Sequence, residues 1–305
     1  MRVLVTGGAG FIGSQVAKLL EVEGDKVVVV DDFSHGNYKN LSGLRGEVIC
    51  HDIRDNSILK KLPRFDAVIH EAAVTDTTLT DNSLMVSVNF NGFNNVLEYC
   101  LSKKIRLVYA SSAGVYGSGS SVMKESQEPT PHNTYAYSKL LCDLKAAKFM
   151  KQSAKPIVGL RYFNVYGPGE YHKGASASMI YQLYQQMLQN KQPRIFKYGE
   201  QKRDFIYVKD VARLTVAALK AKRSAIINVG TGQARSFNDI VTILNRVLEK
   251  DLDAAYFDNP YASVYQNFTQ ADTALLKSTL KSQAHYSLEE GIQDYVKKHL
   301  AGRTF

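Results

Sequence analysis

A cluster of four glycines near the amino end does more than any other feature to limit what this chain can fold into. Gly7, Gly10 and Gly13 lie between an apolar, β-branched run at residues 2–6 and a stretch of helical periodicity at 13–23. Gly8, Gly10 and Gly13 also satisfy the stricter GxGxxG spacing. Strand, glycine turn and helix in that order make a βα unit whose backbone N–H groups meet an anion at the positive end of the helix dipole. A pyrophosphate fits, because each missing side chain lets the backbone approach it closely. Asp31 ends the next apolar run, where a carboxylate reaches an adenosine ribose. An acid at Asp31 or Asp32 favours the free 2′-hydroxyl of NAD, whereas Lys39 and Arg54 are cations that accommodate the 2′-phosphate of NADP, so both cofactors stay open.

The rhythm set by that unit continues. Strands are expected at residues 2–6, 26–30, 47–51, 67–70, 106–110 and 157–161, and helices at 13–23, 57–62, 84–102 and 137–152. This alternation predicts an α/β fold with a Rossmann-type, doubly wound parallel sheet. It breaks after Gly167-Pro168-Gly169, where an amphipathic helix at 177–188 leads into a polar, strand-poor segment to about residue 202. Two more strands, at 205–208 and 225–229, precede helices at 236–249 and 288–300. The expected organisation is a dinucleotide-binding domain of residues 1–166 plus about 203–235. A smaller, mostly α substrate-binding domain, about 167–202 plus 236–305, caps the cleft.

Composition narrows the class further. No run of about 18 apolar residues is available to span a bilayer, so a soluble, cytoplasmic protein without a membrane partner is expected. Cys50, Cys100 and Cys142 are odd in number and in no CxxC pair, which suggests neither a disulfide framework nor a metal site. The formal charge is +9, yet the 38 Lys and Arg are spread along the chain without a basic block. That distribution suits a surface attracting anionic small molecules and gives no nucleic-acid footprint.

Tyr135 and Lys139 stand four residues apart, on one face of an expected helix. A phenol of pKa about 10 is a poor base at neutral pH, and a neighbouring ammonium makes its phenolate accessible. Ser112 follows the apolar run Leu107-Val108-Tyr109-Ala110, at the carboxyl edge of a strand where open α/β sheets bind ligands. Its hydroxyl is placed either to bridge a substrate hydroxyl and Tyr135 or to cap the following turn. Asn89 and Asn164 are weaker candidates, since asparagine more often serves turns.

The run TGGAGFIG, HEAA at His70–Ala73, ASSAGVYG from Ala110, YAYSK and RYFNVYGP from Arg161 resemble the extended short-chain dehydrogenase/reductases that modify nucleotide sugars. The resemblance covers nearly the whole chain. Within that group EYHKGASAS from Glu170, KRDFIYVKDVA from Lys202, NVGTGQARSFND and the later YQNFTQAD are similar to the ADP-L-glycero-D-manno-heptose 6-epimerases, which serve lipopolysaccharide core heptose synthesis. The resemblance implies a tightly bound NADP, with NAD as the alternative, and a nucleotide-sugar substrate. It implies homo-oligomers, with helices 84–102 and 137–152 as the faces to suspect. It makes Tyr135 and Lys173 the two acid/base groups, with Ser112 and Lys139 beside the first. Phe11, Ile12, Asp31, Asp32, Lys39, Glu71, Asn89, Lys139 and Val165 would line the cofactor. Asn164, Phe196, Arg203 and Tyr265 would meet the substrate, Arg203 as a fork for its diphosphate.

Two positions depart from the pattern. Where better-known members carry a serine just after Lys-Gly and a histidine seven residues further on, this chain has Ala175 and Gln182. A sugar 4,6-dehydratase would place an Asp-Glu pair where Ala113-Gly114 stand. A UDP-hexose 4-epimerase shares Tyr135, Lys139 and Ser112 and is the alternative enzyme. A non-catalytic NAD(P)-binding protein would need no tuned phenol.

Overall fold

The computed structural model describes residues 1–77, 79–119, 121–259 and 266–301. Its strands are β1 (Arg2–Thr6), β2 (Lys26–Asp31), β3 (Glu47–Cys50), β4 (Ala67–His70), β5 (Arg106–Ser112), β6 (Ile157–Tyr162), β7 (Asn164–Tyr166), β8 (Arg194–Phe196), β9 (Lys202–Tyr207), β10 (Ala225–Val229), β11 (Ala234–Ser236) and β12 (Ala255–Phe257). Its α-helices are α1 (Phe11–Val22), α2 (Ser57–Lys61), α3 (Asn82–Val86), α4 (Gly92–Lys103), α5 (Thr134–Met150), α6 (Met179–Leu188), α7 (Val208–Ala218), α8 (Phe237–Leu248), α9 (Ala274–Leu280) and α10 (Leu288–Asp294). No described helix is long and apolar enough to cross a membrane.

Seven strands form a parallel sheet in the order β3-β2-β1-β4-β5-β6-β10. Val3, Leu4 and Val5 are fully buried, as expected of a central strand covered on both faces. One face packs Val3, Val5, Ile69 and Leu160 against Val16 and Leu20 of α1 and Leu214 of α7. The other packs Leu4, Val68 and Tyr109 against Phe93 and Leu97 of α4 and Cys142 of α5. The strand order reverses between β1 and β4, which opens a crevice at their carboxyl ends. A separate apolar cluster joins Ile180 and Leu183 of α6, Ile240 and Leu244 of α8 and Ile292 of α10 around Tyr166 and Tyr207.

Helix α7 runs directly out of β9, where the sequence led us to expect only a strand end. It buries Val208, Asp210, Val211, Ala212, Leu214, Thr215, Val216 and Ala218 and leaves Lys209, Arg213 and Ala217 on the outer face at a four-residue spacing, a helical pattern that the sequence reading passed over. Strands β7, β8, β11 and β12 have three residues each, too few for alternation to register. Helix α5 begins at Thr134, earlier than expected, because the Asn133 side chain accepts from the Ala136 N–H at 2.8 Å. Helix α9 buries Leu276 in the sheet cluster, although the whole segment after 236 was expected to cap the cleft. The helix expected at 84–102 contains a π-turn at Ser87–Asn91 between α3 and α4, a break in periodicity often found at functional sites.

His70 ends β4 fully enclosed, its Nδ1 2.7 Å from the Thr6 hydroxyl and its ring beside Phe93. Burial, helped by the Lys139 charge, holds its pKa down to about 3 from the ordinary 6.5. Below pH 6.5 the unfolded chain takes up a proton there that the folded chain refuses. His70 therefore removes stability progressively as pH falls from 6.5 toward about 3. The expected result is a urea midpoint that declines across that window and a shallower decline in His70→Asn.

Candidate active site

The glycine turn is built as its spacing requires. Gly7 has φ +71°, and a Cβ there would lie 2.4 Å from the Ala72 nitrogen. A Cβ on Gly13 would lie 2.1 Å from the Gly7 carbonyl oxygen. Gly10 caps α1 without a side-chain acceptor, so the first-turn N–H groups keep their capacity for an anion. From this turn a cleft of about 580 Å³ extends along the carboxyl edge of the sheet. Asp31, Asp32 and His35 line it on the β2 side, and Ser112, Tyr135 and Lys139 on the β5 side. Three strand spacings separate β2 from β5, about 14 Å at ~4.8 Å each. The cleft, its bare helix terminus and the carboxylate at the end of β2 fit an extended dinucleotide.

Asp31 is buried and closes the turn: Oδ2 accepts from the Ala9 N–H and Oδ1 from the Phe33 N–H, both at 2.9 Å. Burial raises its pKa, while those two N–H groups oppose the rise. Asp32 is exposed and its Oδ1 accepts from the Ser34 N–H at 2.9 Å and hydroxyl at 2.6 Å. Lys39 is also exposed but stands outside the cleft lining, in a turn where its N–H donates to Asn37 Oδ1.

At the other end α5 presents Tyr135 and Lys139 one turn apart. The Lys139 ammonium lies 6.0 Å from the Tyr135 ring centroid and donates to the Ala110 carbonyl at 3.0 Å, at the end of β5. Ser112 Oγ accepts from the Gly114 N–H at 3.0 Å, so it caps the turn while its own proton remains available to a partner. One further turn along α5, Asp143 accepts from Arg161 Nε and from the Tyr109 hydroxyl, each at 2.9 Å. This buried network fastens the Tyr135–Lys139 face to β5 and β6. Sequence reasoning missed it, although Asp143 repeats the four-residue spacing from Lys139.

Lys173 enters from the 3-10 segment Tyr171–Ser176, with Nζ 5.7 Å from the Phe11 ring centroid. Burial lowers its pKa, and the charges of Glu170 and Asp76 oppose that. Buried Glu170 closes the segment by accepting from the Gly167 N–H at 2.9 Å and the Ser178 N–H at 2.6 Å. Gln182 spends its amide N–H groups on the Ala175 and Ala177 carbonyls, at 3.0 and 2.8 Å, so it braces the loop that holds Lys173.

Phe11, Ile12, Glu71 and Val165 also line the cleft. Asn89, Asn164, Phe196 and Arg203 do not. Asn89 is buried behind the wall, its amide bonded both ways to the Val74 backbone and donating to Ser138 Oγ at 2.9 Å. Asn164 is exposed and accepts from the Thr269 hydroxyl, while Phe196 packs on Phe257. Arg203 is buried on β9, with Nη1 donating to the Lys202 carbonyl. Tyr265 lies outside the described residues. His35, His172, Thr75 and Asp76 line the cleft without having been singled out, because they sit in loops that carry no periodic signal.

A family model described as the NAD dependent epimerase/dehydratase family matches residues 3–230. Among solved structures the chain is similar to Helicobacter pylori ADP-L-glycero-D-manno-heptose-6-epimerase, at 41% identity over 97% of this chain and 95% of that one, with a TM-score of 0.90. It is similar to UDP-N-acetylglucosamine 4-epimerase from Methanobrevibacter ruminantium at 30% identity over 97% of each chain, TM-score 0.90. It is also similar to Thermus thermophilus UDP-glucose 4-epimerase, solved with NAD, at 27% identity over 99% and 100% of the two chains, TM-score 0.88. The matched residues span the parallel sheet from β1 to β10 and carry both the glycine turn and the Tyr135–Lys139 pair: the chain belongs to the NAD dependent epimerase/dehydratase family.

Proposed function

We propose that the protein epimerises a nucleotide-activated sugar with a nicotinamide dinucleotide that stays bound throughout, and that the substrate is ADP-D-glycero-D-manno-heptose, inverted at C6. The observation that carries this reading is the meeting of two proton-transfer groups in one cleft. Tyr135 enters from α5 with Lys139 and Ser112 beside it, and Lys173 enters from a separate loop. An enzyme that only oxidises needs one such group. Inversion requires the intermediate carbonyl to present both faces, so its oxygen occupies two positions in turn, and each needs a proton relay.

When bound, the dinucleotide accepts a hydride from carbon and returns it. The protein's side chains manage the oxygen. Tyr135 takes the hydroxyl proton as the alcohol becomes a ketone, with Ser112 donating to the same oxygen. The ammonium of Lys139, held by the Ala110 carbonyl, stabilises the phenolate. C6 of a heptose lies outside the ring, so rotation about C5–C6 would present the other face of the ketone and move its oxygen to a second position. Lys173, its proton loosened by burial, then serves the relocated oxygen. Phe11, Ile12, Asp31, Glu71 and Val165, all in the cleft lining, are assigned to the cofactor; Arg203, buried on β9 outside that lining, is assigned to the substrate diphosphate by the family resemblance alone. The cofactor is NADP or NAD, the second favoured by the paired acids Asp31 and Asp32 of the cleft lining, where Lys39, the cation expected for a 2′-phosphate, is absent.

The heptose is supported by the 41% identity to the H. pylori enzyme and by Lys173 itself. A second reading, a UDP-hexose 4-epimerase, is supported by the shared Ser112, Tyr135 and Lys139 and by the 30% identity to the M. ruminantium UDP-N-acetylglucosamine 4-epimerase, while Ala175 and Gln182 depart from the heptose enzymes. Purified protein offered each nucleotide sugar without added cofactor decides between them. The expected result is interconversion of the two C6 epimers of ADP-heptose. Inert ADP-heptose beside rapid UDP-glucose turnover would establish the second reading instead.

A further inference from the structure

We infer that Glu71 sets the redox balance of the bound dinucleotide: its carboxylate, seated in the cleft by Tyr162, favours the oxidised nicotinamide over the reduced one. The inference rests on the proposed cofactor reading. Glu71 follows β4 at the point where the strand order reverses, and it lines the cleft together with Tyr162 and Lys139. Its Oε1 accepts from the Tyr162 hydroxyl at 2.7 Å, and that hydroxyl also lies 2.8 Å from Thr215 Oγ1. Among the described residues Oε2 has no hydrogen-bond partner, and no ion pair neutralises the group.

The groups facing Glu71 are Tyr162 from β6, Thr215 from α7 and Lys139 from α5. Tyr162 stays protonated, since burial pushes its phenol well above the ordinary 10.0. Thr215 does not titrate, and His70 beside Glu71 in the chain is kept neutral by burial. Glu71 is thus the group in this cluster that changes charge near neutrality. Burial pushes it up to about 7, against the pull of Tyr162 and Lys139.

The oxidised ring is a cation, and hydride from the sugar carbon removes its charge while the alcohol proton leaves by Tyr135. Glu71 exchanges no bond in that step. A carboxylate sharing a low-dielectric cleft attracts the cation and is indifferent to the neutral ring. By linkage the oxidised ring must then favour ionised Glu71 and the reduced ring its neutral form. An enzyme that needs its cofactor oxidised at the start of every turn gains from such a bias, because a ketone that escapes leaves the cofactor stranded in the reduced state.

The test uses the holoprotein without sugar. It is equilibrated with an equal mixture of NAD+ and NADH, or of their 2′-phosphorylated forms if the released cofactor carries that group. The bound reduced-to-oxidised ratio is read by near-ultraviolet absorbance. In the wild type the ratio should fall about tenfold between about pH 6 and about pH 8 as Glu71 ionises. In Glu71→Gln it should stay level, at the value favouring the reduced form. A wild-type ratio indifferent to pH overturns the inference without needing the variant to fold. So does a pH dependence that persists in Glu71→Gln, which would belong to another group. Failure of every nucleotide to bind overturns the cofactor reading and this inference with it.

Discussion

Tyr135→Phe is expected to leave the cofactor bound and lower kcat by about three orders of magnitude, the loss typical of a removed acid/base group. The substitution deletes one oxygen from a side chain in the first turn of α5. That helix is fastened elsewhere, by the Asn133 cap and by the Asp143–Arg161–Tyr109 network, so neither fold nor cleft depends on the hydroxyl. Lys139 keeps its bond to the Ala110 carbonyl. What disappears is the acceptor for the proton that must leave as a sugar hydroxyl becomes a ketone. Rapid-quench assay of turnover, with cofactor content measured on the same samples, checks the split. Undiminished turnover would remove Tyr135 from the chemistry.

Lys173→Met should lower net epimerisation by about 10²-fold or more. It should do so asymmetrically. Tyr135 still serves one orientation of the hydroxyl, so one epimer continues to reduce the bound cofactor and the other does not. Near-ultraviolet absorbance after mixing with each epimer separately reads this directly. Methionine preserves much of the apolar stem beside Phe11, and the loop is held by Glu170 and Gln182, so folding should survive. Full activity in both directions would make Lys173 an ordinary loop lysine.

Much of this molecule is legible from its letters because local rules and global packing agree there. The glycine turn is such a place: strand, turn and helix are contiguous, and the packing that forbids a Cβ at Gly13 comes from Gly7 itself. Tyr135 and Lys139 are another, since their spacing is a helical repeat. Elsewhere the decisive contact lies far along the chain. Asn89 has the look of a ligand-facing amide, yet its partners are Val74 and Ser138. Gln182 reads as a sugar-facing substitution, and its amide is committed to two backbone carbonyls that only the folded loop brings within reach. Helix α7 was missed for a different reason: it follows β9 without an intervening turn residue and carries the polar Asp210 and Thr215 on its buried side, so its start reads as the end of the strand. His35 and His172 come from loops that converge on the cleft, and convergence has no signature in a linear pattern.

The central claim is that one resident dinucleotide takes a hydride from the sugar and gives it back to the other face of the same carbon. It is tested most directly with ADP-heptose carrying deuterium at C6, turned over by the purified protein in ordinary water without added cofactor. The account predicts an epimerised product that retains the deuterium at C6. Loss of the label to solvent, or an unaltered C6 configuration after prolonged incubation, would contradict it.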